Sequence, residues 1–159
     1  MQPFPDFSPA LSFAQSVRSD TAIRKGIINQ PNAEQYANMK RVFEHIYVPL
    51  CQHYGLTLPV SSFFRCPALN RAIGGAKNSQ HMYGQAIDID CDSLAVPTNK
   101  ELFAYIRSSG LGFDQIITEF PDANGKPGWI HVSFVSEKIN RNNALQAISR
   151  NGKTEYVTL

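Results

Sequence analysis

The sequence predicts an α+β fold in which helices pack against a small, mainly antiparallel sheet. Three observations carry this expectation. Helical periodicity dominates the first third of the 159 residues, strand-like runs gather after it, and the chain closes on a hairpin signal. Helices first and strands later favour segregated layers over an alternating, parallel α/β sheet.

The elements follow in order. Ser8-Pro9 reads as an N-cap with proline in the first turn of a short helix through about Val17. Residues 20–26 form a second short helical turn that Gly26 ends. Asn32 and Gln35 make a capping-box pair. From there Tyr36, Met39, Val42 or Phe43, Ile46, Leu50 and Tyr54 recur every three or four residues, which predicts the longest helix with one apolar stripe. Pro49 should kink or split it, and Gly55 should end it.

Residues 56–64 read as a strand that delivers Arg65 at its end, and 67–73 as one or two helical turns closed by Gly74-Gly75. A loop over 76–84 leads to a strand over 85–91. Thr98 and Glu101 form another capping box, opening a helix that Gly110 terminates. Residues 113–120 and 128–135 are apolar, β-branched and aromatic, so they should pair antiparallel around the loop 121–127. Asn151-Gly152 lies between two polar–apolar stretches, a strong short hairpin signal.

The length suits a single domain over 1–159, with a helical part over about 1–55 and a sheet part over about 56–159. A hydrophobic content of 43% with 11% aromatics argues for a folded globule. Fifteen Lys and Arg against thirteen Asp and Glu give a net charge of +2, and the cations are scattered, so no nucleic-acid partner is expected. No stretch approaches the roughly 18–20 apolar residues of a membrane span. Three cysteines, Cys51, Cys66 and Cys91, include no CxxC pair and are expected as buried thiols. A Cys66–Cys91 disulfide stays open for an oxidising compartment. The expected state is a monomer.

The chemistry centres on 61–90, SSFFRCPALNRAIGGAKNSQHMYGQAIDID, and on GWIHVSF at 128–134. Zinc takes nitrogen, sulfur and carboxylate ligands, and catalytic sites draw three from protein. His81, Asp88 and His131 can supply such a set if the chain returns tightly at Gly84 and the strand aims Asp88 inward. On a strand, Trp129, His131 and Ser133 share one face and Ile130, Val132 and Phe134 the other. A histidine in an apolar strand is more commonly a hydrogen-bonded structural residue, so spacing alone leaves both readings open. His45 and His53 are expected to be structural or exposed.

The residues SSFFRCPALN, SQHMYGQAID and WIH resemble, in order, S-G-Y-R-S-P-x-L-N, S-x-H-x-x-G-x-A-x-D and W-x-H of the zinc D-Ala-D-Ala carboxypeptidase family. That family includes phage endolysins that cut L-alanyl-D-glutamate links and vancomycin-resistance dipeptidases, and the likeness is to its short, single-domain branch. It implies a hedgehog-like zinc peptidase fold. The activity it implies is cleavage of peptidoglycan stem peptides, as carboxypeptidase or endopeptidase, by zinc-activated water. His81, Asp88 and His131 match the Zn2+ ligands, Arg65 the arginine that binds substrate and stabilises the oxyanion, and Ser79 a substrate contact. Tyr83, Trp129 and Phe64 would wall the cleft.

The general base departs from the pattern. The resembled family places an acid three positions before the last histidine, where this chain has Gly128. Glu119, at the end of the strand expected to pair with 129–134, is the replacement candidate, with Asp122 second. Asp114 is read as a structural partner or as a residue that orients a ligand histidine. An alternative is a zinc-bearing binding or structural domain without turnover, as hedgehog domains illustrate for this fold, and a third reading is metal-free. The opening MQPFPDFSPALSF lacks the charged start and apolar run of a secretory signal. The chain is therefore expected to be made in the cytoplasm and to act on the wall as a phage or prophage lysis enzyme, by an export route left open.

Overall fold

The computed structural model describes residues 3–159. The helices are α1 (Phe13–Ser16), α2 (Asp20–Lys25), α3 (Ala33–Val42), α4 (Val48–Tyr54), α5 (Pro67–Ala72) and α6 (Asn99–Ser108). The strands are β1 (Val60–Ser62), β2 (Ala86–Ile89), β3 (Gln115–Glu119), β4 (Trp129–Ser133), β5 (Asn143–Arg150) and β6 (Lys153–Thr158). They form one sheet in the order β1-β2-β4-β3-β5-β6. Every neighbouring pair is antiparallel except β3 with β5, which is parallel. The α+β expectation holds.

Local chemistry explains most boundaries. Asn32 and Gln35 cap α3 reciprocally, at 2.8 and 2.9 Å, and Thr98 with Glu101 does the same for α6. Pro49 has no N–H to give, and the predicted long helix splits just before it. A π-helical turn over Phe43–Tyr47 joins α3 to α4, with the Val48 N–H reaching back five residues to the Phe43 carbonyl. At the β5–β6 turn Asn151 and Gly152 have φ of 52° and 73°, both left-handed, as a two-residue hairpin of matching twist requires.

Three boundaries differ from expectation. The first helix starts at Phe13, because Ser12 with Gln15 builds the reciprocal cap while Ser8 closes a tight turn with Leu11. The strand predicted over 56–64 shortens to Val60–Ser62, since by Phe64 the backbone has left the sheet and donates to the Ser16 carbonyl. The loop 76–84 contains a 3₁₀ turn over Gln80–Tyr83.

The sheet register sorts side chains into two faces. Ile87, Val132, Ile116 and Ala144 stand opposite one another across four strands and point into the core with Ile89 and Ile130. Met39, Val42, Ile46, Leu50, Leu102 and Ile106, from the long helical segment and α6, cover that face and are fully buried. The other face carries Asp88, His131, Ile117, Glu119 and Leu145. It forms part of the wall of a cleft of about 1100 Å³. Among the described residues no helix is long and apolar enough to cross a membrane, and the three cysteines are free thiols.

Candidate metal centre and active site

Three segments converge at the cleft. The 3₁₀ turn brings His81, β2 brings Asp88, and β4 brings His131 directly opposite Asp88 in the ladder. Gly84, at φ 69°, ends the turn and returns the chain to β2, as anticipated. Each of the three residues offers a ligand atom, all lie within 4.8 Å of one another, and each residue is buried. His81 Nε2 stands 3.0 Å from Asp88 Oδ1 and 3.1 Å from His131 Nδ1, which is 2.9 Å from the same carboxylate oxygen.

Proton inventory shows what this cluster lacks. His81 Nδ1–H donates to the Phe63 carbonyl at 2.6 Å, so the neutral ring turns a bare Nε2 lone pair into the cluster. Ionised Asp88 only accepts. At most one proton, on His131 Nδ1, then serves the other two atoms, and in the other His131 tautomer three acceptors face one another with none. A cation would satisfy all three at once. Their separations approach the edge of roughly 3.3 Å of a tetrahedron built on bonds of about 2.0 Å.

The electrostatics agree with that reading. Burial pushes the His81 imidazole below its ordinary range despite Asp88 beside it, and so favours the neutral form that a ligand needs. Burial alone would raise the Asp88 carboxyl, but the two histidines outweigh it and hold the group well below the carboxylate range. Its second oxygen accepts from Arg65 Nη2 at 2.8 Å. Arg65 Nε is buried with no partner among the described residues, a donor left over in the cleft wall.

Glu119 stands opposite Trp129 in the β3–β4 ladder, which makes it the diagonal neighbour of His131 on the same face, about 7–8 Å away. It is buried, and desolvation together with Asp88 pushes its carboxyl up to about 7 against the opposing pull of His131 and Arg65. Gly128 donates its N–H to the Glu119 carbonyl at 2.9 Å. The acid therefore lies across the ladder from the position where the resembled family carries its own.

The structure brings His81, Asp88, His131, Arg65, Glu119, Ser79, Phe64 and Trp129 to one cleft. It does not bring Tyr83 there. With three residues per 3₁₀ turn, positions 81 and 83 point apart, so His81 is buried while Tyr83 is half-exposed. Asp122 lies outside the cleft as well, accepting from the backbone of Asn124 and Lys126 in an exposed turn. Asp114 holds no ligand histidine. It pairs with Arg141 and accepts from Gln80 at 2.9 Å, so it anchors the turn that carries His81. His45 stacks on Phe134 and His53 on Tyr105, which leaves both away from the cluster.

Asn29 belongs to the site's support although nothing in the sequence marked it. Its Nδ2 donates to the Val17 and Phe64 carbonyls and its Oδ1 accepts from the Cys66 N–H at 2.7 Å. The backbone on both sides of Arg65 is thus clamped by one buried side chain. An Ile-Asn-Gln-Pro loop carries no periodic or motif signal that could have disclosed this.

A protein-family model described as Peptidase M15 matches residues 9–133, more than three quarters of the chain. The chain belongs to the peptidase M15 family. Membership makes it a peptidase with a peptide substrate, and the buried His81-Asp88-His131 group is a candidate metal site in it. All three donors, Arg65 and Glu119 fall within the matched residues, whereas β5 and β6 lie beyond them. Among curated proteins none matches the chain.

Proposed function

We propose that this M15 peptidase is a zinc enzyme that cleaves peptidoglycan stem peptides. The observation that carries the proposal is the convergence of three donor atoms short of protons beside a buried acid and a partly unpartnered arginine. Zinc suits a two-nitrogen, one-oxygen set, and when bound it supplies a Lewis acid that activates water at neutral pH. The peptidoglycan substrate and a role at the cell wall, as a phage or prophage lysis enzyme, rest on the resemblance of the three motifs.

The chain's own residues account for the remaining steps. Water adds to the scissile carbonyl carbon, the C–N bond breaks, and the products are a carboxylate and an amine. Glu119 takes the proton from the attacking water and passes it to the departing nitrogen. A buried carboxyl raised to about 7 is matched to both halves of that exchange. Arg65 keeps its charge throughout, holds Asp88 with Nη2, and has donors left for the substrate oxygen where negative charge develops. Trp129 and Phe64 wall the cleft and Ser79 lines it.

The test is digestion of purified sacculi, with mass spectrometry of the released fragments and elemental analysis of the protein. The expected result is new peptide termini that identify the bond, with about one zinc per chain. Glu119→Gln should keep its zinc and lose roughly 10²–10⁴-fold in rate. Full zinc occupancy with no peptide released from any sacculus would overturn the enzyme and leave a zinc-bearing binding domain. Unchanged hydrolysis by Glu119→Gln would remove this residue from the mechanism.

A further inference from the structure

The cleft does not end with the elements that carry the proposed chemistry. Its wall continues onto β5 and β6, which lie past the residues the family model matches. Register determines which side chains reach it. Glu119 stands opposite Ala147 in the parallel β3–β5 pair, and Ala147 stands opposite Tyr156 in the β5–β6 hairpin. Directly opposed residues share a face. Tyr156 therefore emerges on the metal face, in one row with Glu119, and between them is only the small side chain of a fully buried alanine.

Three features distinguish Tyr156 from a packing residue. It is absent from the hydrophobic core, and 49% of it remains accessible although its ring is large and apolar. It lines the same cleft as Arg65, His81, Glu119 and His131. Among the described residues its hydroxyl has no hydrogen-bond partner. The hydroxyl nevertheless feels the site: burial first, then the charges of Glu119 and Asp88, keep its proton on, against the opposite pull of Arg65. It is a donor with no acceptor among the described residues, on the β6 side of the cleft that Arg65 also lines.

We propose that Tyr156 is a substrate-binding residue that donates its phenolic O–H to a carbonyl or carboxylate oxygen of the bound peptide, on the β5–β6 side of the metal centre. This rests on the peptidase reading of the site. A substrate held at both Arg65 and Tyr156 is thus a peptide that spans the cleft both residues line.

The experiment uses the zinc-loaded Glu119→Gln protein, which keeps substrate intact, and a synthetic stem pentapeptide as the probe, with affinity read by calorimetry. Tyr156→Phe in that background keeps the ring and should weaken binding about five- to tenfold, the loss of one hydrogen bond. Zinc content and thermal midpoint should not change, since the hydroxyl bonds nothing among the described residues. Val157→Thr, one residue along and on the opposite face, should leave affinity unchanged. Equal affinity of the Phe variant and its parent would overturn the role of Tyr156 while leaving the peptidase reading in place. If the parent fails to bind the pentapeptide and the wild-type chain releases nothing from sacculi, the reading of the site falls, and the role of Tyr156 with it.

Discussion

Replacing Gly84 by alanine tests how the metal turn is built. Gly84 has φ of 69°, and a Cβ there would lie 2.3 Å from the Gln35 carbonyl oxygen and 2.9 Å from Met39 Cγ. The first is backbone of α3, held by its own helical ladder and by the bond from Gln35 Nε2 to the Met82 carbonyl at 2.9 Å. It cannot yield as a flexible side chain would. A left-handed alanine costs about 1–2 kcal/mol, and forcing turn and helix apart adds about 1–3 kcal/mol. Gly26→Ala is the internal control, because Gly26 has nearly the same φ of 62° and open space where its Cβ would go. It should show the first cost alone. Urea unfolding of both variants should separate them by about 1–3 kcal/mol with a common m-value. Only the Gly84 variant should bind zinc more weakly, because His81 sits three residues before it in the displaced turn. Equal losses from the two variants, or full zinc affinity in Gly84→Ala, would refute the close approach of turn and helix as the reason for glycine.

Other perturbations address the supports around the cluster. Asn29→Ala unfastens the backbone on both sides of Arg65 and orphans the buried Phe64 carbonyl and the half-buried Cys66 N–H, so it should cost about 1–3 kcal/mol and lower peptide hydrolysis while leaving zinc content intact. Asp114 is nearly inaccessible. Burial would raise its carboxyl, but the bonds from Arg141 and Gln80 prevail and hold it below the usual range. A folded-state pKa below the unfolded one stabilises the protein above about pH 4, and that contribution drains away as pH falls through the lower folded value. Acid titration of stability should therefore be shallower in Asp114→Asn than in wild type. Removing metal with a chelator should lower the thermal midpoint, and excess zinc at about a thousandfold over its dissociation constant should restore about 4 kcal/mol. In His81→Ala neither treatment should move the midpoint.

Short-range chemistry was legible in the residues, and long-range pairing was not. The reciprocal caps at Asn32 and Thr98, the stop at Gly55 and the turn at Asn151-Gly152 involve neighbours within a few positions, where stereochemistry leaves little choice. Strand parity likewise suffices to put His131 on the face opposite Ile130 and Val132. Tyr83 departs from expectation because neighbours in a motif need not be neighbours in space, and the narrow pitch of a 3₁₀ turn points it away from His81. Asn29, Arg141 and Tyr156 reach the site through contacts or registers that span many residues. The parallel match of β3 with β5 shows the same limit, since hairpin signals report only antiparallel neighbours.

The direct opposition of Asp88 and His131 across the β2–β4 ladder has a consequence for assembly. Their flanking residues Ile87, Ile89, Ile130 and Val132 are wholly sequestered from water. A slip of β2 by one position would invert its side chains, thrusting the Asp88 carboxylate among the helices and turning Ile87 and Ile89 out to the cleft, and a slip of β4 would do the same with His131, Ile130 and Val132. Oil and charge thus veto the same mistakes independently. The alignment that brings the three candidate donors together is thus specified by the strands themselves and needs no ion to set it.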